Sequence, residues 1–292
     1  DYADPSDPLA VHKAAVVLAG LVGTRGGRRG GDLARALDRT LGGGLRVATE
    51  VDVPHGSGLG TSSILAGALL ASLRVILGRP VEFEPIYDDV LCLEQMLTTG
   101  GGWQDQVGGM VGGIKVSSTQ PGLPQRPHVE PVRLRPEVAE ELRRRLILVY
   151  TGQRRLAKGI LRAIMGRFMS RDPEVVYILS YIREIAEAQR RALERGDLDE
   201  MGRLMAEHWQ LNKRLDPGSS NPFIDLLFEI CSPYMSGAKL AGAGGGGFMM
   251  IVARDEQAPA RLAEVLARTF PATDVAPWPT EIATEGLVVS KT

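Results

Sequence analysis

The chain has 292 residues, of which 44% are apolar and 24% charged, and its formal net charge is −1. This length suits two ordinary domains or one large one, and the balanced charge gives no bulk electrostatic reason to bind nucleic acid. The sequence has neither a membrane-spanning stretch nor a zinc-ligand spacing. Cys92 and Cys231 lie in apolar helical patterns, which predicts buried, reduced thiols. We therefore expect a globular cytoplasmic protein without nucleic acid or membrane partners.

The predicted elements form an α+β pattern with a break near residue 145, which divides the chain into domains 1–144 and 145–292. The chain begins at Asp1 and enters a helix almost at once, so we interpret it as cut from a longer protein. In chain order the predictions are helix 8–22, strand 46–53, helix 64–77, strand 146–150, helices 155–170, 174–195, 198–215 and 223–235, strand 248–253, helix 259–269 and strand 285–289.

A glycine-rich loop over Pro54–Ser63 joins the first predicted strand to the helix that follows. Gly56, Gly58 and Gly60 let backbone N–H groups approach an anion, and the helix adds its unpaired first-turn N–H groups. Hydroxyl groups at the helix start can also bind Mg²⁺. The loop therefore predicts a phosphate cradle. A tight turn that merely uses glycine is the simpler alternative, but it would not require three hydroxyls in a row.

Two better-known glycine loops do not fit this stretch. The P-loop pattern G-x-x-x-x-G-K-[ST] needs a lysine, and none lies between Arg46 and Lys115. The dinucleotide pattern is G-x-G-x-x-G, whereas the glycines here are spaced G-x-G-x-G. The loop therefore indicates a different class of phosphate site.

An acidic pair, Glu94 and Asp105, lies 11 positions apart along the chain. Glu94 comes late in a helix and Asp105 follows a glycine-rich turn, so the two carboxylates can converge on one pocket. Phosphoryl transfer uses one acid to hold Mg²⁺ and another beside the attacking hydroxyl. By spacing alone, two such residues are more often separate surface charges.

A second glycine run, Gly242–Gly247, leads directly into the apolar strand that begins at Phe248. Consecutive glycines have a high conformational-entropy cost, which indicates that something approaches this backbone closely. A flexible linker is the alternative interpretation. Linkers, however, are flanked by polar residues and not by an apolar strand.

Taken together, these three motifs resemble the galactokinase, homoserine kinase, mevalonate kinase and phosphomevalonate kinase (GHMP) superfamily. Its phosphate loop, Pro-x-x-x-Gly-Leu-Gly/Ser-Ser-Ser, corresponds to Pro54–Ser62 with a threonine at position 61, and its third motif is similar to Lys239–Gly247. The resemblance implies an N-terminal domain like ribosomal protein S5 domain 2 and a ferredoxin-like C-terminal domain.

The resemblance also implies the site residues, with ATP as co-substrate and Mg²⁺ as cofactor. Ser62 and Glu94 would hold the metal, Asp105 would face the acceptor hydroxyl as a base or an orienting group, and Gly102 and Trp103 would contact the substrate. The residues implied in nucleotide phosphate binding are Pro54, Gly56, Ser57, Gly58, Leu59, Gly60, Thr61, Ser62, Gly244, Gly245 and Gly246.

Within the superfamily, the segments 54–67 and 93–109 are similar to L-fucokinases. This implies ATP-dependent phosphorylation of the anomeric hydroxyl of L-fucose to L-fucose 1-phosphate, on the salvage route towards GDP-fucose. The family's first motif is not found, so an upstream segment of the same protein is an expected partner. The alternatives are a kinase for another hexose or a heptose phosphate, and a catalytically silent sugar and nucleotide sensor.

Overall fold

The computed structural model describes residues 2, 4, 7–22, 31–54, 56–97, 101–122, 124–154 and 158–291. His55 in the glycine loop, residues 98–100 in the second predicted turn and residues 155–157 at the start of a predicted helix lie outside the described residues. Within the described ranges, no helix is both long and apolar enough to cross a membrane.

The first half of the chain is mainly helical and is built around one apolar core. Its helices are α1 (Ala10–Leu18), α2 (Gly31–Leu41), α3 (Thr61–Ile76), α4 (Phe83–Met96) and α5 (Gln104–Met110). Small residues let these helices approach closely. A β-carbon at Gly67 of α3, for example, would lie 2.5 Å from the Met110 sulfur and 3.8 Å from Val90. This close packing fixes the start of α3 relative to α4 and α5.

The strand predicted over residues 46–53 is not formed. Residues 44–52 have no regular secondary structure, and they run beside α3 with an open groove between them. Val47 and Val51, which would share one face of such a strand, are 37% and 44% exposed. A strand is stabilised by ladder hydrogen bonds to a neighbour, and no strand lies alongside this segment among the described residues.

The second half begins after a small hairpin, β1 (Lys115–Ser118) with β2 (His128–Pro131). It contains α6 (Pro136–Arg145), β3 (Leu146–Thr151), α7 (Lys158–Met169), α8 (Pro173–Arg195), α9 (Leu198–Leu215), α10 (Pro222–Cys231), β4 (Met235–Leu240), β5 (Phe248–Ala253), α11 (Ala258–Thr269) and β6 (Val275–Trp278). Proline at the first turn and side-chain caps such as Asp172 and Asn221 begin α8 and α10.

Strands β3 to β6 form one antiparallel sheet in the order β4-β5-β3-β6. With the helices between β3 and β4 and α11 before β6, this is the ferredoxin-like order, as the family resemblance implied. The inner pair is in full register from Leu146 opposite Val252 to Tyr150 opposite Phe248. Strand β5 therefore emerges from the second glycine run in the middle of the sheet.

Three further predictions differ from the structure. The helix predicted over 223–235 stops at Cys231, and β4 starts at Met235. Cys231 is buried as predicted, but Cys92 is exposed because its neighbours Val90 and Leu93 supply the inward face of α4. The closing strand predicted over 285–289 is also absent.

The segment predicted as strand 285–289 is not a strand and packs against the first half of the chain. The Leu287 N–H donates to the Met110 carbonyl (2.8 Å), and the Gly113 N–H donates to the Ala283 carbonyl (2.7 Å). Leu287 and Val289 contact the first core. Two hydrogen bonds are too few to form a strand ladder. They do hold residues 283–287 against the half of the chain that contains the glycine loop.

Candidate active site

The glycine loop has the backbone form expected of an anion cradle. Gly56, Gly58 and Gly60 have φ values of 76°, 76° and 70°, in the left-handed region that other residues seldom adopt. Gly60 is the N-cap of α3, and no side chain among the described residues caps that helix. First-turn N–H groups without a side-chain cap are suited to bind phosphate oxygens.

Asp105 lies against this loop. A β-carbon added at Gly60 would come 2.9 Å from the Asp105 Cβ and 3.0 Å from its carboxyl carbon. Asp105 stands in the first turn of α5 and is exposed. The structure therefore brings Asp105 to Gly60 at the N-cap of α3, although the two residues are 45 positions apart in sequence.

Glu94 is buried close by, with 6% of its surface exposed, and it accepts a hydrogen bond from the Ser63 hydroxyl. A β-carbon at Gly101 would lie 2.7 Å from its Oε2 atom. Burial raises the pKa of Glu94; the Ser63 hydrogen bond opposes this shift, and the charge of Asp105 adds to it. The influence of Asp105 on this pKa means that the two acids share one electrostatic environment.

Ser62, the serine expected to bind metal, is exposed at the first turn of α3. The hydroxyl that bonds Glu94 belongs instead to Ser63, which is 4% exposed. The sequence motif assigns no separate role to Ser63. Its signal was a third hydroxyl placed on the inward face of α3, one turn before Gly67.

The two residues expected to hold Mg²⁺, Ser62 and Glu94, offer the oxygen ligands that this ion prefers. The described residues contain no group of three or more acidic, histidine or cysteine side chains that could hold a metal ion, so an ion here would need ligand atoms from the nucleotide as well. In phosphoryl-transfer enzymes, Mg²⁺ is usually bound by about one or two carboxylates together with the phosphates of the nucleotide. A divalent cation would stabilise the charged form of Glu94 and so oppose the rise in its pKa that burial and the charge of Asp105 cause. The residues present therefore fit the ion.

The second glycine run is held by hydrogen bonds within the C-terminal half. The Gly245 N–H donates to the Ser219 carbonyl (2.6 Å), and the Gly247 N–H donates to the Gln153 carbonyl (2.8 Å). A β-carbon at Gly244 would lie 2.5 Å from the Ser219 carbonyl oxygen and 3.0 Å from the Trp209 ring. The close approach that the glycines predicted is thus made by protein atoms.

Gly247 connects this run to the first glycine loop. A β-carbon there would lie 2.2 Å from the Ser57 carbonyl oxygen, and the Phe248 N–H donates to the same oxygen (3.1 Å). Ser57 is 2% exposed, and its hydroxyl lies 3.1 Å from that of Thr61. Ser57 therefore joins the two halves of the chain, a contact that sequence reasoning did not assign to it or to Gly247.

The remaining predicted substrate residues differ in accessibility. No atom lies within 4 Å of a β-carbon added at Gly102, so this residue borders open space. Trp103 is partly buried and packs against the first core. It precedes α5 as the N-cap residue, which places it two positions before Asp105.

Family models match both halves of this chain. The GHMP kinases N terminal domain matches residues 30–113, and the GHMP kinases C terminal model matches residues 189–272. Together they cover more than half of the sequence. The chain belongs to the GHMP kinase family. The region matched by the N-terminal model contains the glycine loop, Glu94 and Asp105. The region matched by the C-terminal model contains the second glycine run.

Two curated relatives are similar to nearly the whole of this GHMP kinase chain. The bifunctional fucokinase/GDP-fucose pyrophosphorylase of Arabidopsis thaliana is 43% identical, over 86% of this chain and 23% of the relative. The L-fucokinase/L-fucose-1-P guanylyltransferase of Bacteroides fragilis is 36% identical, over 93% of this chain and 28% of the relative. The chain thus spans about a quarter of the length of each.

Solved structures agree with the fold. A D-glycero-D-manno-heptose 1-phosphate kinase of Bacteriodes thetaiotaomicron superposes with a TM-score of 0.59 at 22% identity, over 80% of this chain and 64% of that one. At this identity the likeness shows the shared GHMP kinase architecture, with the helical first half and the four-stranded sheet of the second.

Proposed function

We propose that this chain is the kinase unit of an ATP-dependent L-fucokinase, which phosphorylates the anomeric hydroxyl of L-fucose to give L-fucose 1-phosphate. The observation that carries the proposal is the contact between Asp105 and Gly60. It combines an accessible acid with an anion cradle. The similarity to two relatives named as fucokinases supports the choice of sugar.

The nucleotide phosphates would be bound by backbone N–H groups of the loop from Gly56 to Ser62, at the start of α3. The run from Gly244 to Gly246 would support them from the second half. Gly245 already donates its N–H to Ser219, so its contribution is to shape the site unless that bond breaks. The link from Gly247 to Ser57 keeps both glycine motifs together.

Ser62 and Glu94 would hold Mg²⁺, which when bound supplies positive charge beside the phosphate oxygens. Glu94 is fixed by the Ser63 hydroxyl and by the close approach of Gly101. Ser62 is exposed at the helix start, where a hydroxyl is accessible to a ligand at the loop. We also expect the domain division to fall at residues 144–145, just before β3.

Asp105 would either take the proton of the sugar hydroxyl or orient that hydroxyl, and Gly102 and Trp103 would lie beside the sugar. Phosphoryl transfer passes through a loose transition state, so positioning of the hydroxyl contributes more than the strength of the base. Asp105 is exposed, so a substrate can approach it from solvent. The open space beside Gly102 leaves room for a sugar ring near it.

The direct test is an ADP-release assay of the purified chain with Mg-ATP. The panel contains L-fucose, D-galactose, D-mannose and a heptose phosphate, and phosphorus NMR identifies the product. We expect the highest kcat/KM with L-fucose and an anomeric phosphate as product. An Asp105→Asn preparation excludes a contaminating kinase. Higher kcat/KM with another sugar would assign the chain to that substrate instead.

The catalytically silent sensor is a second function on the same fold. Retention of both acids favours the enzyme, because a sensor would need neither Glu94 nor Asp105 for chemistry. Calorimetry separates the two functions. Binding of ATP and L-fucose without ADP release, both in this chain and in one extended at its N-terminus, would support the sensor.

A further inference from the structure

We propose that Ser63 is a positioning residue for Glu94, whose hydroxyl fixes the carboxylate that would bind Mg²⁺; this inference rests on the proposed function. Ser63 acts through Glu94 and does not touch the metal itself. It is therefore distinct from Ser62, the serine that the family resemblance assigns to the ion.

The first observation is where the bond lies. Ser63 and Glu94 are 4% and 6% exposed, on facing sides of α3 and α4. The next turn of α3 on the same side carries Ala66 and Gly67, both buried. A hydroxyl among such residues is unfavourable unless it is hydrogen-bonded, and here it donates to the Glu94 Oε1 atom. The bond gives a polar residue at this position a specific purpose.

The second observation is that the two oxygens of Glu94 have different surroundings. Oε1 accepts from Ser63, while Oε2 lies against the backbone of Gly101. A larger residue at position 101 would meet Oε2 at 2.7 Å. A carboxylate that is hydrogen-bonded at one oxygen and packed at the other has its orientation set before a cation arrives.

The third observation is the division between adjacent serines. Consecutive residues of a helix point about 100° apart. Ser62 is accordingly exposed at the loop, whereas Ser63 faces α4. One hydroxyl can therefore reach a ligand at the loop while the other reaches Glu94. Removal of a partner that orients a metal ligand typically lowers metal affinity about 10- to 100-fold.

The test measures metal binding without any sugar. Mn²⁺ replaces Mg²⁺ as a paramagnetic probe, and its affinity is measured by electron paramagnetic resonance in the presence of a non-hydrolysable ATP analogue. We expect Ser63→Ala to weaken Mn²⁺ binding about 10- to 100-fold. Affinity for the nucleotide without metal should be unchanged, and Ser63→Thr, which keeps a hydroxyl, should restore most of the Mn²⁺ affinity.

The matched control is Ser72→Ala. Ser72 lies on the same helix and donates its hydroxyl to the Ala68 carbonyl (2.9 Å), away from the acids. We expect wild-type Mn²⁺ affinity from it. An equal loss in Ser72→Ala and Ser63→Ala would mean a general effect on α3 and would overturn the proposal, as would wild-type affinity in Ser63→Ala with a wild-type melting temperature.

Two further outcomes separate Ser63 from its neighbours and from the proposed function. In a Glu94→Gln background, Ser63→Ala should weaken Mn²⁺ binding little further; a full additional loss would make Ser63 an independent ligand and overturn the proposal. Because sugar is absent, a chain that phosphorylates no sugar can still show the effect. A wild-type chain that binds no Mn²⁺ with nucleotide would overturn the metal role of Glu94 and this inference together.

Discussion

Gly60 and Asp105 are in direct contact, and the contact leaves no room for a side chain at position 60. Its φ of 70° is strained for other residues, and an added β-carbon would lie 2.9 Å from the Asp105 Cβ. The glycine therefore serves two purposes. It turns the chain into α3, and it admits the acid to the mouth of the loop.

We expect Gly60→Ala to lower kcat about 10- to 100-fold, because the added methyl displaces Asp105 and misplaced reacting groups lose rates of this order. Gly78→Ala is the control. Gly78 has a similar φ of 67°, and no atom lies within 4 Å of a β-carbon added there. Its replacement by alanine therefore introduces backbone strain without a steric contact. Steady-state kinetics and melting temperatures of both variants check this. An equal loss of kcat in Gly60→Ala and Gly78→Ala would show that the contact between Gly60 and Asp105 has no specific role in turnover.

Asp105→Asn should abolish most turnover and leave nucleotide affinity near that of the wild type. The change removes the charge beside the acceptor hydroxyl and keeps the shape that packs on Gly60. Turnover and a nucleotide titration on one preparation measure both quantities. Asp88→Asn, at an exposed position of α4, is the matched control. Near-normal turnover in Asp105→Asn would eliminate the proposed role.

Ser62→Ala and Glu94→Gln should each weaken the use of Mg-ATP. If both side chains bind one ion, the double variant should lose clearly less than the sum of the single losses in free energy, since groups in one coordination sphere couple. The Mg²⁺ dependence of kcat/KM is measured for the wild type, the two single variants and the double variant, which together form a double-mutant cycle. Strict additivity would argue for two separate roles.

His208 gives a prediction for stability against pH. It lies half-buried on α9, and burial, with a smaller effect from Lys239, lowers its pKa from 6.5 to about 3. Between these values the unfolded chain takes up a proton that the folded chain refuses, so stability falls as the pH drops below 6.5. The loss from this group should reach about 2 kcal/mol at pH 5.

Urea unfolding at pH 7 and pH 5 tests this for wild type and His208→Gln. The variant should lose less stability between the two pH values, because glutamine does not titrate. His128→Gln changes an exposed histidine and should follow the wild type. The same pH dependence in His208→Gln and wild type would show that other groups carry it.

The second half of the chain was largely predictable from its sequence. Helices α8, α9 and α11 and strands β3 and β5 lie within a few residues of their predicted bounds. The apolar periods of these helices are long, and proline or cap residues mark where the helices start. Strand β4 was missed because Ser236–Leu240 is made of small and polar residues, whose pairing with β5 comes from tertiary packing.

The first half shows why the rest could not be predicted. Residues 46–53 alternate as a strand does, yet alternation does not supply a neighbour for the ladder. At the candidate site, the motif resemblance predicted Glu94 and Asp105 near the loop. It could not predict that Ser63 holds Glu94 or that Gly247 meets Ser57, because these contacts depend on how separate helices and domains pack.

The return of Leu287 and Val289 to the first core has a consequence for synthesis in the cell. Ribosomes add about 5–20 residues per second, so roughly 10–35 s pass between Met110 and the residue that donates to its carbonyl. During that interval the first core lacks two of its apolar contacts. The helical half of this chain therefore completes its packing only after residues 287–289 have been synthesised and have returned to the first core.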